Sequence, residues 1–410
     1  MHESAHHAHR HLGLRFTFTV ALLAMLAPFS IDTYLPSFPD IGREFAVSAV
    51  ALQQTLSLYL LAFATMMLVY GPLSDAYGRK NVVLVSTAVY VASSIGCALA
   101  PNIHWLLLMR IGQGLSASGA LVVGRAIIRD AFAGAAAQRV MSQVMLIFAL
   151  APAVAPVIGG WLHDAFGWRS VFWFLVLLGL AVWLWTAFFL PETLPPVGRQ
   201  SGKPRVIATA YLKALGTLRF MILIAILACN FGGFFLYIAG SPDVMYRHLH
   251  YGANEFWRLF VPLVAGLMLG AFISGRIAGR FSHRQAVTAG FGIMLAAAVA
   301  NLGLALWIPH TAWTIILPVV VYATGMSLAT PNLSLLALEV FPAHLGLASA
   351  LQGFGQAGFN AVVAGLLAPL LSSQVQFLAS GMLMLNLTGF VLWMVWRSRR
   401  DVRESVPALA

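Results

Sequence analysis

Gly71-Pro72-Leu73-Ser74-Asp75-Ala76-Tyr77-Gly78-Arg79-Lys80 and Gly275-Arg276-Ile277-Ala278-Gly279-Arg280-Phe281-Ser282-His283-Arg284 lie 204 residues apart, about half of the 410-residue chain. Each joins two long apolar runs, so the chain reads as two copies of one plan. Outward from these two stretches there are twelve apolar runs, at about 13–34, 50–70, 81–99, 104–124, 139–161, 168–190, 217–239, 256–276, 286–307, 313–336, 346–370 and 376–396. A bilayer core of ~30 Å needs roughly 20 apolar residues per helix. Only helices or closed barrels satisfy their backbone in lipid, and barrel strands would alternate rather than run uniformly apolar. The fold class is therefore an all-α membrane protein of twelve transmembrane helices in two six-helix repeats, a plan that suits a transporter with its site near the membrane midplane.

Composition agrees. Hydrophobic residues make up 60% of the chain and charged residues 9%, where a soluble domain carries about 25% charged. The net charge of +11 is spread over many short loops, which argues against nucleic acid as a partner and for the positive-inside rule. Nineteen Lys and Arg fall on the face that holds both termini, against four (Arg43, Arg169, Arg247, Arg258) on the other, with Arg110 set aside. That asymmetry places both termini in the cytoplasm. The expected organisation is a His-rich cytoplasmic tail (1–12, read as disordered), a first bundle (13–190), a cytoplasmic linker (191–216), a second bundle (217–396) and a C-terminal tail (397–410). Pro195, Pro196, Gly198, Gly202 and Pro204 in the linker read as helix breakers. Cys97 and Cys229 lie in apolar runs and imply no disulfide. Neither a P-loop nor zinc-ligand spacing is present in the sequence, so no enzyme activity, cofactor or metal is expected. The chain is read as a monomer in the bilayer.

Ionisable groups inside a membrane cost at least ~2.5–3.5 kcal/mol and are functional candidates by default. Asp32, near the outer end of span one, and Arg110, about six residues into span four, are the two that stand out. They are read as a proton-coupling pair at similar outer depth, sharing an outward-facing cavity, with Arg110 tuning the proton affinity of Asp32; a solvated Asp32 that merely ends span one is the competing reading. On the cytoplasmic face, Gly71 and Gly78 suit a tight turn and close helix approach. There Asp75 can pair with a base such as Arg79 or Arg125 to lock the face in one state. Pro152, Pro156, Gly159 and Gly160 in span five kink the helix and allow close packing. Tyr59, Phe63, Gln143, Asn230, Phe234, Tyr237, Gln352, Gln356 and Asn360 are candidates to line a cavity for a small, amphipathic, mostly uncharged substrate. Gln352, Gln356 and Asn360 recur every four residues on one helix face. Hydrogen bonding between helices is an equally good account of any one of these polar residues.

These motifs resemble those of the major facilitator superfamily. Gly71 to Lys80 is similar to its signature loop, and Arg110-Ile111-Gly112-Gln113-Gly114 to its fourth-helix motif. Span five resembles the antiporter motif, with Ala151 and Ala155 in place of two glycines. Asp32-Thr33-Tyr34-Leu35-Pro36 and Gln54-Thr55-Leu56-Ser57-Leu58-Tyr59 resemble the bicyclomycin/chloramphenicol-resistance subfamily of drug:proton antiporters. The resemblance implies exchange of drugs for protons across a bacterial inner membrane. It further implies roles in coupling for Asp32 and Arg110, and in the cytoplasmic gate for Asp75 and Arg125. The alternatives are a proton-coupled importer of a metabolite and a membrane receptor or scaffold that transports nothing.

Overall fold

A computed structural model describes residues 2–194, 204–342 and 344–404. Fifteen α-helices are found among them: α1 (His2–Asp32), α2 (Phe38–Glu44), α3 (Ala49–Tyr77), α4 (Arg79–Ala98), α5 (Ile103–Ala131), α6 (Gly134–Phe166), α7 (Trp168–Phe189), α8 (Pro204–Leu215), α9 (Leu218–Ala239), α10 (Trp257–Ile277), α11 (His283–Trp307), α12 (Ala312–Leu338), α13 (Leu345–Val362), α14 (Ala368–Leu371) and α15 (Val375–Glu404). Twelve spans among the described residues are long and apolar enough to cross a membrane. They coincide with the twelve apolar runs. Large apolar side chains such as Leu108, Leu177, Leu269, Leu317, Leu366 and Val391 remain on the outside of the bundles, as expected where the surrounding solvent is hydrocarbon.

The chain forms two compact units, Met1–Lys203 with Ala253–Trp257, and Pro204–Gly252 with Arg258–Ala410. In the first, α5 packs on α1, α3 and α4, α4 packs on α7, and α1 packs on α6. In the second, α12 packs on α9 and α11, α11 packs on α15, and α9 packs on α13. Four of these pairings have counterparts: α4 with α5 corresponds to α11 with α12, α4 with α7 to α11 with α15, α1 with α5 to α9 with α12, and α1 with α6 to α9 with α13. The repeat proposed from the two motifs is thus present in the internal packing of each unit. Gly78 caps α4 and Ser282 caps α11, the same 204-residue separation.

Three local expectations change. Gly71 to Tyr77 is not a loop but the end of α3, and the connection narrows to Gly78, whose φ of 92° lies in the left-handed region that favours glycine. Ser74, Asp75, Ala76 and Tyr77 give the helix no reason to stop sooner. The second half of the linker is also helical. Pro204 opens α8, where a proline has no intrahelical hydrogen bond to lose, and the segment after it is rich in helix formers. The remaining linker prolines and glycines, Pro195 to Gly202, lie outside the described residues. Finally, α1 runs back to His2, so the N-terminal tail is helical rather than irregular.

Span five is one continuous helix through Pro152 and Pro156. Its glycines are there for packing. A Cβ on Gly159 would lie 1.8 Å from the Thr33 carbonyl oxygen, and one on Gly160 2.2 Å from that of Ala253. By contrast a Cβ on Gly71 meets nothing within 4 Å, so this glycine is neither at a turn nor at a close approach. Gly159→Ala should force α6 off α1 and cost about 1–3 kcal/mol or more. Gly71→Ala, in an open helix interior, should stabilise by up to about 1 kcal/mol. Thermal unfolding of the two purified variants in detergent checks both signs.

Candidate functional site

Arg110 is wholly buried in the first unit. The approach of α5 to α3 that buries it depends on Gly114, one turn further on: a Cβ there would lie 2.2 Å from the Tyr59 carbonyl oxygen. In the space left, the guanidinium is held from several sides. Nε donates to the Thr55 carbonyl at 3.3 Å, and Nη1 donates to the Ser30 carbonyl at 3.0 Å and to Gln113 Oε1 at 2.8 Å. The rings of Tyr34 and Tyr59 flank it, their centroids 4.3 and 4.4 Å from Cζ. Such cation–π contacts are worth ~2 kcal/mol when desolvated. Nη2 is left without a hydrogen bond. A second layer fixes the first. Gln113 Nε2 donates to Ser94 Oγ at 2.8 Å, Tyr34 Oη meets Thr55 Oγ1 at 3.0 Å, and Ser30 Oγ meets Tyr90 Oη at 2.7 Å.

Asp32 is the last residue of α1, two residues beyond the carbonyl that Arg110 grips. It ends the helix, yet it is not solvated: it is 4% exposed. Among the described residues it forms no ion pair or hydrogen bond. Asp32 and Arg110 are not bonded to each other in this conformation; the guanidinium is occupied by neutral dipoles and rings. Sequence reading missed Ser30, Tyr34, Thr55, Tyr90 and Ser94. Tyr34, Thr55 and Gln113 stand within the quoted motifs, but nothing there marks them as partners of Arg110 or of its neighbours; bonds to backbone carbonyls carry no side-chain signal.

The Gly71–Lys80 stretch builds a second charged centre. The Arg79 side chain is 3% exposed. Nη2 pairs with Asp75 Oδ1 at 2.6 Å, Nε with Asp130 Oδ2 at 2.9 Å, and Nη1 donates to Ser74 Oγ at 2.5 Å. Its backbone N–H donates to Glu192 Oε1 at 2.9 Å, and Lys80 Nζ donates to the Ala187 carbonyl at 2.8 Å. Four segments of the first unit, α3, α4, α5 and the stretch after α7, thus meet at one arginine. Asp75 finds Arg79, one of its two expected partners. Arg125 forms no ion pair or hydrogen bond among the described residues. Asp130 and Glu192 were not expected in this cluster.

The expected cavity residues fall into separate groups. Tyr59 and Phe63 stack with centroids 6.1 Å apart beside Arg110, while Gln143 is exposed on α6. In the second unit several are engaged between helices. Asn230 Nδ2 donates to Thr330 Oγ1 at 2.8 Å, Asn301 Nδ2 donates to Tyr237 Oη at 2.6 Å, and Gln352 Oε1 accepts from Ser334 Oγ at 2.8 Å. Phe234 is buried and meets Phe231 edge-on. Gln356 is half-buried, and the Oδ1 atoms of Asn230 and Asn360 are buried without a partner. Hydrogen bonding between helices therefore accounts for Tyr237 and Gln352 and for one end of Asn230.

Comparison with known proteins supports this plan along most of the chain. Residues 20–362 match the model of the Major Facilitator Superfamily. The chain is 34% identical over 346 residues to the MFS-type transporter YdgK of Bacillus subtilis, covering 83% of this chain and 85% of that one. It is 27% identical to the bicyclomycin resistance protein homolog of Haemophilus influenzae, covering 86% and 88%, and 26% identical to multidrug resistance protein D of Escherichia coli, covering 94% and 96%. Among solved structures, a D-xylose-proton symporter superposes with a TM-score of 0.72 at 14% identity, covering 93% of this chain and 97% of the other, which speaks for the fold alone. The chain belongs to the Major Facilitator Superfamily and is a membrane transporter, not an enzyme.

Proposed function

We propose that this transporter exports small, amphipathic, mostly uncharged drugs or toxic metabolites across a bacterial inner membrane in exchange for protons, by alternating access, with both termini in the cytoplasm. The observation that carries this reading is the fixed charge of Arg110, caged by carbonyls and tyrosine rings two residues along from a buried, unpaired Asp32. Guanidinium groups in proteins are permanent cations. The charge that changes during the cycle then belongs to Asp32, which takes a proton in one state and releases it in another. Several similar proteins are named for resistance to bicyclomycin, chloramphenicol or multiple drugs, which supports a drug-like substrate. A membrane potential supplies about 2.3 kcal/mol per charge per 100 mV for such an exchange.

In acid-loaded vesicles carrying the transporter, addition of chloramphenicol or a dye of similar size should release protons. Asp32→Asn should abolish that release while ligand binding persists, and Asp32→Glu should keep it. A coupled Asp32→Asn variant would overturn the assignment. Arg110→Lys should lower transport about tenfold or more, because an ammonium lacks the planar fork that reaches two carbonyls and Gln113 at once.

The Arg79 cluster is proposed as a gate of the cytoplasmic face. Its carboxylates are unequal: the Asp130 side chain is 18% exposed, that of Asp75 45%. The more exposed partner is more fully screened by water. Asp130→Asn should therefore impair transport more than Asp75→Asn, and Arg79→Gln more than either. Drug-susceptibility tests in a pump-deficient host rank the three; equal activity of all would sink the gate.

A further inference from the structure

Within the second unit, α8 and the turn between α12 and α13 enclose an open groove of about 530 Å³. Its walls are apolar, from Ala210, Ala214, Phe341 and Leu347, and two basic side chains, Lys213 and His344, stand in it with Thr209. Phe341 is held edge-on by Phe220 at 5.0 Å between centroids. No described carboxylate lines the groove. Glu339 follows α12 at its C-cap but lies outside the lining. Neither the Lys213 ammonium nor the His344 ring forms an ion pair or hydrogen bond among the described residues.

The surroundings mark a membrane boundary. α8 ends at Leu215 and the span α9 begins at Leu218. Leu212 and Leu345, which neighbour Lys213 and His344 in the chain, are each more than half exposed. Exposed leucines beside unpaired bases have no use for a soluble anion. They fit a molecule that has both an anionic head and acyl chains. Basic pockets between spans on the cytoplasmic side suit anionic headgroups, and an interfacial helix with an apolar face and a basic face lies at the same depth.

We propose that this groove binds an anionic phospholipid of the cytoplasmic leaflet, its phosphate between Lys213 and His344 and its chains along Phe341 and Leu347. A zwitterionic lipid carries its own cation beside the phosphate and gains less from Lys213. Bound there, the lipid would tie the linker helix to the turn between α12 and α13. The proposal rests on placing this face in the cytoplasm and is independent of which substrate is moved, so a failure of drug–proton exchange leaves it standing.

The test is native mass spectrometry of the full chain in detergent, titrated with phosphatidylglycerol or with phosphatidylcholine of the same acyl chains. Phosphatidylglycerol should bind at least about fivefold tighter, the contribution of one basic residue near a lipid surface. Lys213→Gln should remove most of that preference, Lys213→Arg should keep it, and the double variant Lys213→Gln with His344→Gln should leave the two lipids equal. Arg247→Gln, in the Asp243–His248 segment beyond α9, is the control and should change nothing. Both groove residues are exposed, and unchanged melting temperatures in phosphatidylcholine will show that the variants fold. Equal binding of the two lipids by the parent chain overturns the proposal, as does an undiminished preference in the double variant. Displacement of phosphatidylglycerol by inorganic phosphate overturns it too, by making the groove a site for a soluble anion.

Discussion

A guanidinium buried without a carboxylate is the constraint around which the first unit is arranged. Arg110 is wholly enclosed, and an unpaired charge in a low-dielectric interior costs several kcal/mol. The cost is offset by acceptors that carry no formal charge: two carbonyls, an amide oxygen and two ring faces. Those acceptors come from α1, α3 and α5, so these three helices must meet at one depth and in one register. Gly114 lets α5 close on α3, and Gly159 lets α6 close on α1. A side chain at either position would open the cage, and the membrane offers no water to fill it. Small residues here serve electrostatics as much as packing.

The second charged centre follows a different logic. Arg79 is bound by carboxylates, partly open to water, at the end of the unit. Because Arg79 is itself buried, removing both carboxylates would leave an uncompensated charge at a cost of about 3–5 kcal/mol. Asp75, the more exposed partner, is the one water can best replace, as the proposed gate would require. The carbonyl cage of Arg110 has no such alternative, since its acceptors have nothing else to bind.

Much of this was legible in the sequence. Charge depletion marks every span, because a bilayer penalises each charge separately and the pattern needs no knowledge of partners. The two glycine-rich stretches disclose the repeat, since both precede a helix that starts 204 residues from its counterpart. Helix ends were harder to read: Gly71 to Tyr77 and Arg125 to Ala131 continue beyond the apolar runs as polar helix, for which hydropathy has no signal. The partners of Arg79 were half visible. Asp75 is four residues away on the same face, but Asp130 is fifty-one residues away and is brought in by the packing of α4 on α5. The acceptors of Arg110 were least visible, because a backbone carbonyl looks the same under every side chain.

The contrast between the two arginines bears on how a proton can do work here. A cage of dipoles fixes a positive charge near the end of α1. Asp32 lies two residues along the chain from the Ser30 carbonyl that holds this charge, and the attraction of a carboxylate to a cation falls with distance and rises as water leaves. A shift of the α1 terminus relative to α5 would change that attraction without breaking any of the three hydrogen bonds of Arg110, provided the Ser30 carbonyl moves as a hinge and Asp32 moves beyond it. Ile31, the one residue between Ser30 and Asp32, would then be the lever arm. In the exchange proposed for this transporter, a carboxylate paired with Arg110 directly would be locked and could release its proton but not take one back, whereas separation by a short tether would leave both directions open.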